Sequence, residues 1–221
     1  MNDIRTAYLT YIKKNSTPRE DHSHTTEVLM PKITRREVQA YQLFHKFGKI
    51  LGYENFQSYL ADVPEIPKWP ETHARAFSEN ALVDTRVLHK VGLKEFCKIV
   101  GLHFYAQNED FIPTHPFECA SERIEWIRFQ DGFRNAHLVI SNYEKFFAPY
   151  EKGMDIVEGI CVFIQNACVV NNQYTMGLPG SIKSGSPDEI ASMGTFQNQP
   201  TLYAVHKRNG LLNVGLASKG E

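Results

Sequence analysis

The segment from Pro64 to Pro70, PEIPKWP, carries three prolines in seven residues and limits the fold of this chain more firmly than any other stretch. Each proline removes a backbone donor, fixes its own φ and pushes the residue before it toward an extended conformation. Neither a helix nor an interior strand can run through such a segment. The chain therefore divides into an N-terminal helical hairpin region, 1–63, and an α+β region, 71–221. These are either separate units or two parts of one continuous domain joined by an irregular connector. With 221 residues there is enough chain for a sizeable core in either arrangement.

Helical signals dominate the early sequence. Ile4, Tyr8, Tyr11 and Ile12 share one face of a helix expected over Asp3 to Lys14. Thr34 and Glu37 have the spacing of a capping box, Val38, Tyr41, Phe44, Phe47 and Leu51 follow at helical steps, and Gly52 stands where a left-handed cap closes a helix. YENFQSYLADV then predicts a second helix, making a hairpin. Beyond the connector, ETHARAFSEN and LKEFCKIVG read as helices and LHFYAQ as a strand. SERIEWIRFQDGFRNAHLVISNYEKFF reads as helical overall, with Gly132 as a breaker worth roughly 1 kcal/mol against alanine. MDIVEGICVFIQNACVV is β-rich in composition but fits one helical face, and helix is the reading adopted. TLYAVHK and LLNVGLAS flank Asn209-Gly210, a strong hairpin turn signal. The fold class expected is α+β, mostly helical in its N-terminal two thirds, with a C-terminal β-hairpin.

Charge excludes some partners. The 24 basic and 25 acidic residues nearly cancel, and no run of Lys and Arg forms a stripe, so strong binding of bare nucleic acid or of an anionic membrane is not expected. The start of the chain has no secretory h-region, and no apolar run is long enough to span a bilayer. Cys97, Cys119, Cys161 and Cys168 form no CxxC pair, which suits reduced thiols in a cytoplasm.

Four patterns carry candidate chemistry. GLPGSIKS, Gly177 to Ser184, resembles a phosphate-binding loop, but Ile182 occupies the position of its last glycine and no strand–loop–helix context surrounds it. It reads as a flexible surface loop, and no cofactor is implied. Cys97, His103, His115 and Cys119 are soft ligands of the kind zinc takes, though Cys97 and His103 make a loose pair and Cys97 falls on an apolar helix side; His22 and His24 offer a second, solvated pair. Cys119, ahead of a helix, with His115 and His137 near it in sequence, is the best placed thiol for nucleophilic catalysis. Asp84, Glu95, Glu109, Asp110, Glu122 and Glu125 are scattered and read as solvated helix faces.

HPFECASERIEWIRFQDGFRNA resembles the closing segment of the ribosome modulation factor family, small bacterial proteins that bind ribosomes. The likeness rests on Pro116-Phe117, Arg123, Trp126, Gly132-Phe133-Arg134 and Ala136, with about three extra residues after the tryptophan, and covers about a tenth of the chain. It implies contact with a ribonucleoprotein through Arg123, Arg128 and Arg134. Read from the residues alone, the same segment is an amphipathic helix whose Trp126, Phe129 and Phe133 fill the core. The functional expectation is a non-catalytic cytoplasmic accessory protein, of a bacterial kind, that binds another macromolecule, protein or ribonucleoprotein. The alternatives are a hydrolase or transferase with a site assembled from distant residues, and a small-molecule-binding module.

Overall fold

The computed structural model describes residues 34–77, 79–105, 111–113, 122–135, 145, 147–170, 174–206 and 214–220. His22, His24, Glu109, Asp110, His115, Cys119, His137 and the helix expected over Asp3 to Lys14 lie outside them.

Thr34 starts α1 (Arg35–Leu51) with both halves of the capping box: its hydroxyl accepts from the Glu37 amide at 3.2 Å, and the Glu37 carboxylate accepts from the Thr34 amide at 2.8 Å. Gly52, at φ +88°, ends it. Asn55 caps α2 (Phe56–Asp62), whose buried Phe56 and Tyr59 pack on Tyr41 and Phe44 of α1. The helical hairpin expected from the sequence is present. The proline connector is irregular but anchored, because Arg36 donates to the Pro64 carbonyl from one side and the Trp126 indole donates to it at 2.8 Å from the other.

α3 (Glu71–Ala76) leads into β1 (Glu79–Asp84). α4 (Arg86–Val100) is kinked at Gly92, φ +74°, and closes at Gly101 in the left-handed region. β2 (His103–Phe104), β3 (Phe111–Pro113), β4 (Ile124–Gln130) and β5 (Glu151–Gly153) follow. Then come α5 (Ile156–Gln165), β6 (Thr175–Lys183), β7 (Ser186–Phe196), β8 (Gln199–His206), β9 (Val214–Leu216) and β10 (Ser218–Gly220). One sheet is four-stranded and antiparallel, in the order β1-β4-β10-β5. The other is six-stranded, β2-β8-β7-β6-β3, with β9 also on β6. β9 and β3 divide one edge of β6 between them, at residues 175–177 and 181–183. α5 lies between the sheets and is buried on nearly every side, from Ile156 to Phe163, as a helix apolar all round must be. The main apolar cluster runs from Ala40 in α1 to Ala217 beside β10, so it draws on both sides of the proline connector.

Several sequence expectations are corrected. The fold is α+β, but helices lead only the N-terminal part, and strands dominate the rest of the described chain. The segment around Trp126 is β4, not helix. Trp126, Ile127, Phe129 and Gln130 are all buried, so its apolar residues serve both faces of the sheet and the period-2 alternation that marks a half-exposed strand is lost. Trp126 does fill the core, whereas Phe133 is 66% exposed. Among the described residues the expected C-terminal hairpin is not formed, and its turn, Asn209-Gly210, lies outside them. β8 pairs with β7, across a two-residue turn whose Gln197 and Asn198 both have positive φ, and β9 pairs in parallel with β6. An Asn-Gly pair signals a turn but does not choose a strand's partner. Gly132 is no helix breaker: at φ +96° it lies against the backbone of Gly215, and the absence of a side chain on both lets the end of β4 and β9 touch.

GLPGSIKS is not a surface loop. It is the greater part of β6, with residues 177–181 buried. Its register slips between Leu178 and Ile182, a bulge that presses Gly180 against Gly153, Met154 and Asp155 at the start of α5.

Candidate functional site

Two places gather chemistry-bearing side chains, one inside the protein and one on its surface. The inner one is built around the start of α5. Asp155 and Glu158 form a second capping box, each carboxylate accepting the other residue's amide at 2.9 Å. The D-x-x-E spacing was legible in the sequence and passed unread. Ser181, delivered by the β6 bulge, accepts from the Ile156 amide at 3.0 Å. Lys219 of β10 reaches in to donate to Glu158 Oε1 at 2.6 Å, and Arg123, just before β4, approaches the same oxygen at 3.4 Å while pairing with Glu125. Glu158 is fully buried. Burial, with Asp155 adding to it, pushes its carboxyl up to about 7 against the opposing pull of Lys219. Such a value suits proton transfer. Both oxygens are already engaged, however, and a fully buried carboxyl offers a substrate no approach. The cluster ties three elements together: α5, β10 and the start of β4.

A second internal pair has the same character. Asp84 is fully buried, where a solvated face was expected. Arg86 binds it with two parallel bonds of 2.9 and 2.8 Å, and the Tyr59 hydroxyl donates to it at 3.0 Å. Of the other carboxylates read as solvated, Glu95 and Glu122 are exposed, and Glu125 is half-buried against Arg123.

The residues singled out from the sequence do not converge. Cys97 is buried in the core of α4, where burial pushes its thiol up to about 12. His103 is exposed on β2. Among the described residues, no group of three or more His, Cys, Asp or Glu is placed to hold a metal. Cys161 is fully buried and its thiol is pushed up well beyond the ordinary range, an inert environment. Arg123 is committed to internal carboxylates, and Arg128 is half-buried with its Nε donating to the Phe77 carbonyl at 2.9 Å; the Arg134 side chain lies outside the described residues. Lys183, the lysine of the loop-like motif, pairs with Glu189 across the β6–β7 ladder at 3.0 Å.

The surface site is a groove of about 840 Å³ between the outer face of α4 and the short strand β2. Val91, Lys94, Glu95 and Lys98 recur at helical steps along one wall. His103 and Phe104 form the other, and Pro200 at the start of β8 helps close one end. Gly101, at φ +80°, turns the chain back from α4 into β2 and so creates the groove. Beside it stand two large exposed aromatics. Tyr105 is 57% exposed and held in place by its backbone N–H, which donates a hydrogen bond to the Leu202 carbonyl. Phe196 is 44% exposed and is set by the Gln197-Asn198 turn. Their rings meet edge to face at 5.0 Å. Glu95 pairs with Lys98 at 3.3 Å, which leaves Lys94 to give the groove its basic character. The arrangement supplies an apolar anchor point beside a cation, Lys94, and its lining brings no nucleophile and base together. Sequence reasoning missed it because nothing local says that β2 folds back along α4, or that Gln199 and Pro200, far along the chain, close the end.

Among the described residues no helix is long and apolar enough to cross a membrane. Comparison with known proteins places the chain in no family: no protein-family model, no curated protein and no solved structure matches it.

Proposed function

We propose that this chain is a binding protein, a cytoplasmic accessory factor that docks another macromolecule, protein or ribonucleoprotein, in the groove between α4 and β2. The observation that carries this reading is the Tyr105–Phe196 pair, two large aromatics left exposed in contact beside a groove lined by Lys94. Aromatics of this kind are what interfaces use as anchors, because a rigid ring buries much area for little lost freedom. A macromolecule is favoured over a small ligand by the open form of the groove and by the anchors' position outside it. The cytoplasmic assignment is supported by the unpaired thiols of Cys97 and Cys161. A ribonucleoprotein is kept as a partner class on the likeness of the Trp126 segment to ribosome modulation factors, although Arg123 and Arg128 are held inside the protein. The docking surface proposed is therefore the groove and not those arginines.

The test is affinity capture from the native host, with protein and RNA both identified, on the wild type beside a Tyr105→Ser/Phe196→Ser/Lys94→Glu variant. A single partner held in stoichiometric amount by the wild type is expected to be lost from the variant, while the melting temperature stays within a degree or two, as surface changes dictate. A partner kept by the variant, or no stoichiometric partner at all, defeats the proposal.

A further inference from the structure

β2 is the outer strand of the six-stranded sheet, and its pairing with β8 leaves one of its edges open. The two run parallel, with His103 opposite Thr201 and Phe104 opposite Leu202. The Tyr105 N–H donates to the Leu202 carbonyl at 3.1 Å, which fixes the parity of the strand. The backbone groups of His103 and the Tyr105 N–H turn toward β8, so the N–H and C=O of Phe104 turn the other way. On that outer edge the end of α4 takes the first position, because the Leu102 N–H donates to the Cys97 carbonyl at 2.9 Å. It takes no more: among the described residues the Phe104 N–H and C=O have no backbone partner.

A donor and an acceptor left open on one residue of a sheet edge are the template for an added strand. The edge borders the groove, since His103 and Phe104 line it. The facing wall sets the charge of what fits there. It brings Lys94 and Lys98 against the single carboxylate of Glu95. The Glu95–Lys98 pair is exposed on both sides and so holds Lys98 only weakly, and Lys94 is exposed with no ion pair among the described residues. Just past β2, the Tyr105 and Phe196 rings give an apolar seat. The strand itself is two residues long, too short to hold a second copy of the chain edge to edge.

We propose that the groove takes an extended acidic segment of a partner protein, added as a strand to the open edge of β2. One residue of the segment, running antiparallel, exchanges both backbone hydrogen bonds with Phe104. A carboxylate of the segment meets Lys94, and an apolar side chain lies on the Tyr105–Phe196 pair. This inference rests on the docking reading above and narrows it. A nucleic acid is repelled by neither lysine, but it has no peptide backbone to match the Phe104 N–H and C=O. A helix keeps its own backbone groups paired and cannot match them either.

The probes are heptapeptides selected on the full chain from a randomised display library and then synthesised. The selected sequences are expected to carry an acidic residue and apolar residues at alternate positions. On binding, the Phe104 amide should exchange with deuterium at least roughly tenfold more slowly, while the Tyr105 amide, already bonded to Leu202, should slow by less. N-methylation of the peptide should weaken binding about tenfold at one backbone position and little at its two neighbours, whose N–H groups point away. Lys94→Glu, at an exposed position, should weaken binding by a similar factor, and a peptide with lysine in place of its acid should bind that variant better than it binds the wild type. The proposal is overturned if no acidic peptide is selected, if the bound peptide leaves Phe104 exchange unchanged, or if N-methylation has the same effect at every position. If a native partner is nonetheless lost from the Tyr105→Ser/Phe196→Ser/Lys94→Glu variant, strand addition fails and the docking reading stands. A peptide that protects Phe104, beside a native partner indifferent to that variant, supports the strand site and defeats the docking reading.

Discussion

Glu158 is the side chain at which burial and charge are most finely opposed. Desolvation favours its neutral form and Asp155 reinforces that, while Lys219 at 2.6 Å and Arg123 favour the anion. The balance leaves its folded value at about 7, above the ordinary 4.5. The folded protein thus holds this proton more tightly than the unfolded chain does. Stability from this group is complete below about pH 4.5 and is lost as the pH rises through about 7. The loss is at most about 3 kcal/mol, from the usual 1.4 kcal/mol per pH unit. Urea unfolding at pH 5 and pH 8, on wild type and Glu158→Gln, measures it. The wild type should lose more stability between the two pH values than the variant, which has no proton to release there. Equal losses would show that Lys219 and Arg123 hold Glu158 ionised throughout.

The start of α5 explains why β6 reads as a phosphate loop. Glycine, proline and serine are there to let a strand bulge against a helix end, not to wrap a phosphate. A Cβ on Gly180 would sit 2.6 Å from the Gly153 carbonyl oxygen and 2.7 Å from the Met154 carbonyl carbon, both backbone atoms that cannot swing aside. Gly180→Ala should therefore separate β6 from α5 and destabilise by about 1–3 kcal/mol, the usual range for overpacking. Gly185, in the tight β6–β7 turn at φ +75°, has open space around it, so Gly185→Ala meets only the left-handed backbone penalty of roughly 1 kcal/mol. Denaturant midpoints of the two variants compare these directly, and a Gly180→Ala protein no weaker than Gly185→Ala would remove the packing explanation. The contrast also marks what was legible in the sequence. Caps depend on residues three or four apart, so Thr34–Glu37, Gly52 and Gly101 could be read, and Asp155–Glu158 could have been. The strand character of β4 and β6 depends on both faces being covered by distant chain, and β9 takes its register from β6 instead of from its neighbour in sequence. Nothing local records such choices. The groove shares that property in part, since Gln199 and Pro200 reach its end from a distant part of the chain.

At the scale of the molecule, α5 decides whether the proline connector separates two folding units. The helix packs on β1 of the four-stranded sheet and on β6 and β7 of the six-stranded sheet, and α1, from before the connector, packs on it as well. Its two faces therefore join the two sheets in one core, and neither sheet can leave without exposing Ile160, Cys161 and Val162, all fully buried. Polar links run the same way: Gln42 of α1 donates to the Gln165 carbonyl, Lys219 bridges β10 to Glu158, and the Trp126 indole ties β4 to the connector at Pro64. A chain built so should unfold in one step, since loss of either sheet removes apolar cover from the helix that the other needs. Hydrogen exchange is the measurement that separates the cases, because it reads each sheet on its own amides. In mild denaturant, the slowest amides of β1 and β4 and those of β6 and β7 should converge on one opening free energy, and the slowest amides of α1 should join them. Two plateaus, one for each sheet, would show that α5 stays folded on one partner while the other leaves. An α1 that exchanges well ahead of both sheets would show that the connector does divide the chain.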